Sequence, residues 1–187
     1  DEQLADCGCV ILERRRAFVY ELEEMFQVYY DRVALGREKV MLEYSTTIKN
    51  DDFLASLRDS FDRDRILTYT TVGVHRDDLN LSLEGYPVKK LGSQGQKKSF
   101  LTALKLAQFA YLVKQKGVKP LLLLDDIFDK LDADRVSQII QIVSSTDFGQ
   151  VFVTDTNREH IDEILQQHAM EYKIFHVVGG NVADLKY

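Results

Sequence analysis

Leu121-Leu122-Leu123-Leu124-Asp125-Asp126 is the stretch that decides the fold class. Four consecutive leucines read as a strand buried on both faces, the pattern of a parallel sheet flanked by helices. Two carboxylates at the strand's C-terminal end fall where open α/β sheets bind their ligands. In phosphate-handling ATPases the first such acid holds Mg²⁺, and a second beside it orients water for attack. Metal-dependent hydrolases place acids in the same way, and a helix-capping Asp next to a solvated one would need no ligand, so the motif alone leaves three readings open.

About thirty residues upstream stands Gly92-Ser93-Gln94-Gly95-Gln96-Lys97-Lys98, directly before a long apolar helix predicted over about 96–114. Small residues let backbone N–H groups approach an anion, the helix start adds positive potential, and Lys97 and Lys98 add formal charge. Phe100, Leu104, Phe109 and Tyr111 on that helix read as core. Downstream, the pattern predicts a helix over 133–143, a strand over 150–154, a helix over 159–166 and a strand over 172–178. Helices alternating with strands predict an α/β chain with a mostly parallel sheet.

The first third reads differently. A long helix is expected from Gln3 to Leu35, with Phe18, Leu22, Met25 and Tyr29 on one face and Gly36 as its cap. Val40 to Ile48 alternates as a strand does. Asp51-Asp52 opens a further helix to about Ile66 that would bury Phe53, Leu54, Leu57 and Phe61. Thr68 to Val74 is β-branched, and Leu79 to Leu83 alternates before the turn Glu84-Gly85-Tyr86-Pro87. A boundary is expected at 67–68, with no internal repeat and no flexible linker.

The chain has 187 residues, 45% of them hydrophobic and 29% charged, with 2 Pro, which excludes collagen-like and largely disordered classes. No run approaches the length of a membrane span. The acidic opening Asp1-Glu2-Gln3-Leu4-Ala5-Asp6 has neither the basic nor the apolar region of a signal peptide and no initiator Met, so a cytoplasmic piece of a longer chain is expected. Cys7 and Cys9 are too close in sequence for disulfide geometry and read as two reduced thiols. Net charge is −6, but residues 85–124 carry 8 Lys and no acid, while the flanking segments are each net −7. A basic window inside an acidic protein suggests a surface that meets phosphates.

The order Ser93-Gln94-Gly95-Gln96, long helix, Leu121 to Asp126, then Asp129-Lys130-Leu131-Asp132 resembles the signature, Walker B and D-loop of ABC-type ATPases. The Ser-Gln-Gly-Gln spelling is similar to that of the RecF family, within the SMC-like ABC ATPases. Gly73-Val74-His75-Arg76-Asp77-Asp78-Leu79, Phe152-Val153-Thr154-Asp155-Thr156 and the opening five residues agree with it. Two departures stand out: the family usually has Pro where Val74 stands, and none of the ten glycines is followed by Lys, so the P-loop is missing. The resemblance therefore implies the C-terminal half of such a protein, with a partial, mainly helical arm over 1–67 and half of an ATPase head over 68–187.

What the resemblance implies about chemistry is specific. Asp125 would hold Mg²⁺, and Asp126 would polarise the attacking water. Ser93, Gln94, Gly95 and Gln96 would contact ATP bound to the opposite subunit of an ATP-dependent homodimer. Asp129 and Asp132 would line the dimer seam, and Thr154 would sense the γ-phosphate. DNA at single-strand gaps, RecR, RecO and RecA would be partners in DNA repair, recombination and replication, in the bacterial cytoplasm and on its nucleoid. Since the pI of about 5.3 opposes global attraction to DNA, contacts would come from local lysines, with Lys89, Lys90, Lys97 and Lys98 foremost and Lys105, Lys114, Lys116 and Lys119 behind them, giving salt-dependent binding without base readout. Arg14-Arg15-Arg16 is either a DNA contact or a solvated helix face, His160 is a weaker alternative to Thr154, and His75 and Arg76 have no assigned role. Competing readings are a metal-dependent phosphohydrolase or nuclease using Asp125 and Asp126, a docking module without catalysis, and another SMC-like ATPase, which would flank its head with longer coiled coils.

Overall fold

The computed structural model describes residues 1–36, 38–126, 128–156 and 171–184. In chain order it contains α1 (Glu2–Ala34), β1 (Val40–Ser45), α2 (Phe53–Leu67), a 3₁₀ turn (Val74–Arg76), β2 (Asp78–Leu83), β3 (Tyr86–Pro87), α3 (Val88–Leu91), α4 (Gln94–Lys116), β4 (Leu122–Leu124), α5 (Ala133–Val143), β5 (Val151–Val153), β6 (Phe175–Val178) and β7 (Asn181–Asp184). The helix expected over 159–166, with His160, lies outside the described residues. The chain is mixed α/β. β4 and β5 form the parallel pair, β1, β2 and β3 form an antiparallel sheet, and β6 and β7 form an antiparallel hairpin.

The larger core forms where α1 lies along α4. The aromatic rings of Phe26, Tyr30 and Phe100 meet edge to face, with centroids of Phe26 and Phe100 4.6 Å apart. Phe18 meets Tyr111 in the same way, and Phe109 stacks on Phe148. Such pairs add about 0.5–1.5 kcal/mol each beyond the area they bury. Beneath the seam sit Leu106, Val136, Ile139 and Ile142, all fully buried. β1 precedes position 67 and β2 follows it, so sheet and core join the two segments distinguished by sequence.

Local chemistry explains the element ends. Leu35 and Gly36 both turn left-handed and close α1. β1 stops at Ser45, short of Ile48, because Asn50 and Asp51 take positive φ and Asp52 caps α2, its carboxylate accepting from the Ala55 N–H at 2.8 Å. The β-branched stretch 68–74 forms no strand: Asp64 accepts from both the backbone and the hydroxyl of Thr71, and Thr47 accepts from the Gly73 N–H. Side chains thus satisfy the backbone that a ladder would otherwise pair. The Thr71 hydroxyl also holds the Asp64 carboxyl below its ordinary pKa.

Two burial expectations are corrected. Phe61 is 57% exposed, on the outer face of α2 under Arg65. In the leucine run, Leu122 and Leu124 are buried, but Leu121 and Leu123 are 62% and 63% exposed. One face of β4 packs on the helices; the other has no cover among the described residues. As expected, Cys7 and Cys9 are free thiols.

A second, smaller core holds Ala5, Leu12, Ile48, Phe53 and Leu57 where α1 meets α2. Gly8 of α1 permits it: a Cβ there would lie 1.9 Å from the buried Phe53 ring. Gly8→Ala should therefore lower unfolding stability by about 1–3 kcal/mol in urea titration, although Ala is the better helix former; a stabilised variant would contradict this packing. Tyr30 supplies a pH test. Burial first, and its hydrogen bond to Glu38 second, push its phenol well above the ordinary tyrosine value. Its contribution is complete below pH about 10 and is lost as pH rises further, because the unfolded phenol releases its proton first. Tyr30→Phe should make the alkaline fall in stability shallower by up to about 1.4 kcal/mol per pH unit; identical slopes would contradict it.

Candidate functional site

Two clusters occupy the ends of the elements that the core positions. The first sits at the C-terminal ends of β4 and β5. Parallel pairing aligns Leu124 with Val153, and the Thr154 N–H donates to the Leu124 carbonyl at 2.9 Å, carrying the ladder one step further. This brings Thr154 beside both acids. Its hydroxyl donates to the Asp125 carboxylate and accepts from the Asp126 N–H at 3.0 Å. Asp126 has φ 46°, in the left-handed region that Asp tolerates better than most residues. Both carboxylates are exposed, and Lys98 Nζ of α4 lies 3.6 Å from Asp126.

The second cluster is the start of α4. Ser93 caps the helix: its hydroxyl oxygen accepts from the Gln96 N–H at 3.2 Å, and the Gln96 side-chain oxygen accepts from the Ser93 N–H at 2.9 Å. This reciprocal box is the local reason the helix starts at Gln94. Gly95 lets the turn approach the loop before α5, since a Cβ there would meet the Lys130 carbonyl at 3.2 Å. Asp132 caps α5, accepting from the Arg135 N–H at 2.9 Å, and its carboxylate lies 3.5 Å from the Arg135 side chain. Asp129 pairs with Lys130 at 3.4 Å.

The structure thus gathers Asp125, Asp126 and Thr154 with Lys98 in one group, and Ser93, Gly95 and Gln96 with Asp132 in a second, where sequence had given only their order. Gln94 is exposed on the first turn of α4, as are Lys97 and, on α3, Lys89 and Lys90. The eight lysines are not one patch. α4 is 23 residues long, about 34 Å at the usual rise. Lys114 at its far end pairs with Glu21 at 2.8 Å, and Lys119 donates to the Thr146 carbonyl.

Four other basic residues, Arg15, Arg16, His75 and Arg76, are tied to protein groups. Arg15 pairs with the buried Asp77 at 3.0 Å, to which Tyr44 also donates, and Arg16 pairs with Asp51 at 2.7 Å. Arg16 holds the Asp51 carboxyl below its ordinary pKa. His75 and Arg76 both bond the Thr70 carbonyl. These contacts favour the structural reading for Arg15 and Arg16. Sequence reasoning missed Glu38, Arg135, Tyr30 and Ser99, which lie behind the α4 start. Glu38 accepts from Gln96 and from Tyr30, both at 2.6 Å, and Arg135 donates to Ser99 at 2.9 Å. No spacing in the sequence connects residues 38, 96 and 135; only the fold does.

Among the described residues, no group of three or more His, Cys, Asp or Glu side chains could hold a metal ion, and no helix is long and apolar enough to cross a membrane. Asp125 suits Mg²⁺ of the kind bound beside a nucleotide, which takes one or two protein carboxylates and completes its shell with water and phosphate oxygens. A self-sufficient protein cage would need further ligands, and the described residues do not supply them.

No family model matches the chain. A DNA replication and repair protein RecF from Bacteroides fragilis is 45% identical over 186 residues, covering 100% of this chain and 50% of that protein. The protein of the same name from Phocaeicola vulgatus is 46% identical over 187 residues, again 50% of its length. The chain thus spans about half the length of the curated relatives it matches. Among solved structures, the recombination mediator protein RecF-ATP of the RecFOR pathway superposes with TM-score 0.74 at 25% identity, over 99% of this chain and 49% of that one. An SMC ATPase, described for ATP-driven dimerization and DNA-stimulated activation, matches in fold at TM-score 0.52 and 16% identity, over 95% of this chain and 89% of that one. Along its whole length the chain is similar in sequence to proteins named RecF, and similar to them in fold, over about half of such a protein.

Proposed function

We propose that this chain supplies the signature, Walker B and D-loop side of an ATP-binding head in a RecF-like DNA recombination and repair ATPase. One observation carries the reading: the Thr154 hydroxyl joins Asp125 and Asp126 at the ends of two parallel strands. That is where an α/β sheet presents acids to phosphate. The bare side of β4 and β5 supports it further. Leu123 and Phe152 are register partners, both exposed on one face, whereas parallel sheets are covered on both faces. The P-loop-bearing half of the family would cover them, with the arm (1–67) and half-head (68–187) as the subdivision of this segment.

In the assembled head Asp125 would hold Mg²⁺, which when bound neutralises charge on the nucleotide phosphates. Asp126 takes a proton from water aimed at the γ-phosphate, and Thr154 holds the Asp125 carboxylate and the Asp126 backbone in place. Ser93, Gln94, Gly95 and Gln96, with Asp129 and Asp132 behind them, form the face presented to ATP on a second subunit, so that nucleotide binds two copies together. Lys89, Lys90 and Lys97 provide phosphate contacts for gapped DNA, without base readout and with strong salt dependence. RecR, RecO and RecA loading complete the proposed pathway, in the bacterial cytoplasm on nucleoid DNA.

A two-metal nuclease is less well supported, because such sites need several ligands around ions about 3.5–4 Å apart, and the described residues offer two adjacent acids. A pure docking role would leave the Thr154 arrangement without purpose. In the full-length protein that carries this segment, Asp126→Asn should lower ATP turnover by about 10²-fold or more while retaining ATP binding. Unchanged turnover in a steady-state phosphate-release assay would contradict the assignment.

A further inference from the structure

We propose that Glu38, at the entry to β1, is the positioning residue that fixes the α4 start in its phosphate-accepting form. This rests on the nucleotide-facing role given above to Ser93–Gln96.

Glu38 has a side chain only 16% exposed. One of its oxygens accepts from the Gln96 amide at 2.6 Å and the other from the Tyr30 hydroxyl at 2.6 Å; the Arg135 guanidinium lies 4.0 Å away. A glutamine amide has a donor end and an acceptor end, and can turn over. A carboxylate only accepts, so Glu38 compels the Gln96 NH₂ to face inward. The Gln96 oxygen is thereby committed to the Ser93 N–H at 2.9 Å. The Ser93 oxygen is in turn occupied by the Gln96 N–H at 3.2 Å, which leaves the hydroxyl proton as the outward group. The N–H groups of Gln94 and Gly95, in the first turn, have no acceptor within the helix. One half-buried acid therefore sets a row of outward donors.

The same acid ties this row to the second loop. Arg135 reaches Glu38 while donating to Ser99 of α4 and pairing with Asp132 before α5. Two loops expected to meet one nucleotide are held through a single charge. Stability alone does not require it, since buried ion networks are often replaceable by apolar groups at no loss. What a carboxylate adds is a single allowed orientation for Gln96.

The test is the gain in self-association that ATP produces, measured by sedimentation-velocity titration of the full-length protein with and without nucleotide. Glu38→Gln leaves one acceptor facing three donors. It should cut the ATP-dependent gain by about tenfold per loop, and by about a hundredfold in a two-fold dimer that uses the loop twice. Tyr30→Phe alone keeps the Gln96 bond and should leave the gain within a few-fold. Combined with Glu38→Gln it removes the competing donor, so the new amide can turn its oxygen to Gln96, and most of the gain should return. A Glu38→Gln protein with an undiminished gain overturns the proposal, as does a loss that Tyr30→Phe does not repair, which marks a merely structural acid. Failure of the underlying nucleotide reading looks different: the unsubstituted protein would gain nothing from ATP, and the role of Glu38 would fall with it.

Discussion

The packing of α1 against α4 is the constraint on which the rest depends. Phe26, Tyr30 and Phe100 lock two long helices along a buried aromatic seam. Because α4 runs unbroken over 23 residues, that seam sets where its first turn lies relative to β4, β5 and α5. Tyr30 then serves twice: its ring fills the seam and its hydroxyl reaches Glu38 at the α4 start. Core geometry and loop geometry are joined in one residue. A change in helix crossing would move Ser93 and Gly95 away from the Lys130 carbonyl and the Arg135 network.

The acid cluster has the opposite character. β4 and β5 are three residues each, and an isolated two-stranded sheet is marginal in water. Its inner face is secured by Leu122 and Leu124 in the core, while Leu123 and Phe152 face outward. Asp126, in a left-handed conformation, is held there by the Thr154 hydroxyl. Such backbone strain persists where surrounding contacts over-determine it. The arrangement is thus braced on one side only among the described residues, as the proposed half of a two-part head would be.

Much of this was legible in sequence, and the limits have physical causes. Helical periodicity located α1, α2, α4 and α5 to within a few residues, because capping residues such as Asp52, Ser93 and Asp132 mark their starts. The leucine run announced β4 but overstated its burial, since a run of four apolar residues does not say whether a covering layer belongs to the same chain. Thr68 to Val74 looked like a strand by composition, yet Asp64 and Thr47 bind its polar groups, and local side-chain partners outweigh β propensity. Ser93, Asp125 and Asp126 were visible as motifs. Glu38 and Arg135 were not, because a half-buried acid between three distant segments leaves no spacing to read.

If this chain carries one side of a split ATP site, nucleotide binding needs the other side as well. The experiment is Mg²⁺-dependent binding of a fluorescent ATP analogue to the chain alone and to its mixture with a separately made P-loop-bearing half. Binding should occur in the mixture only and be abolished by Asp125→Asn. Tight binding by the chain alone would contradict it.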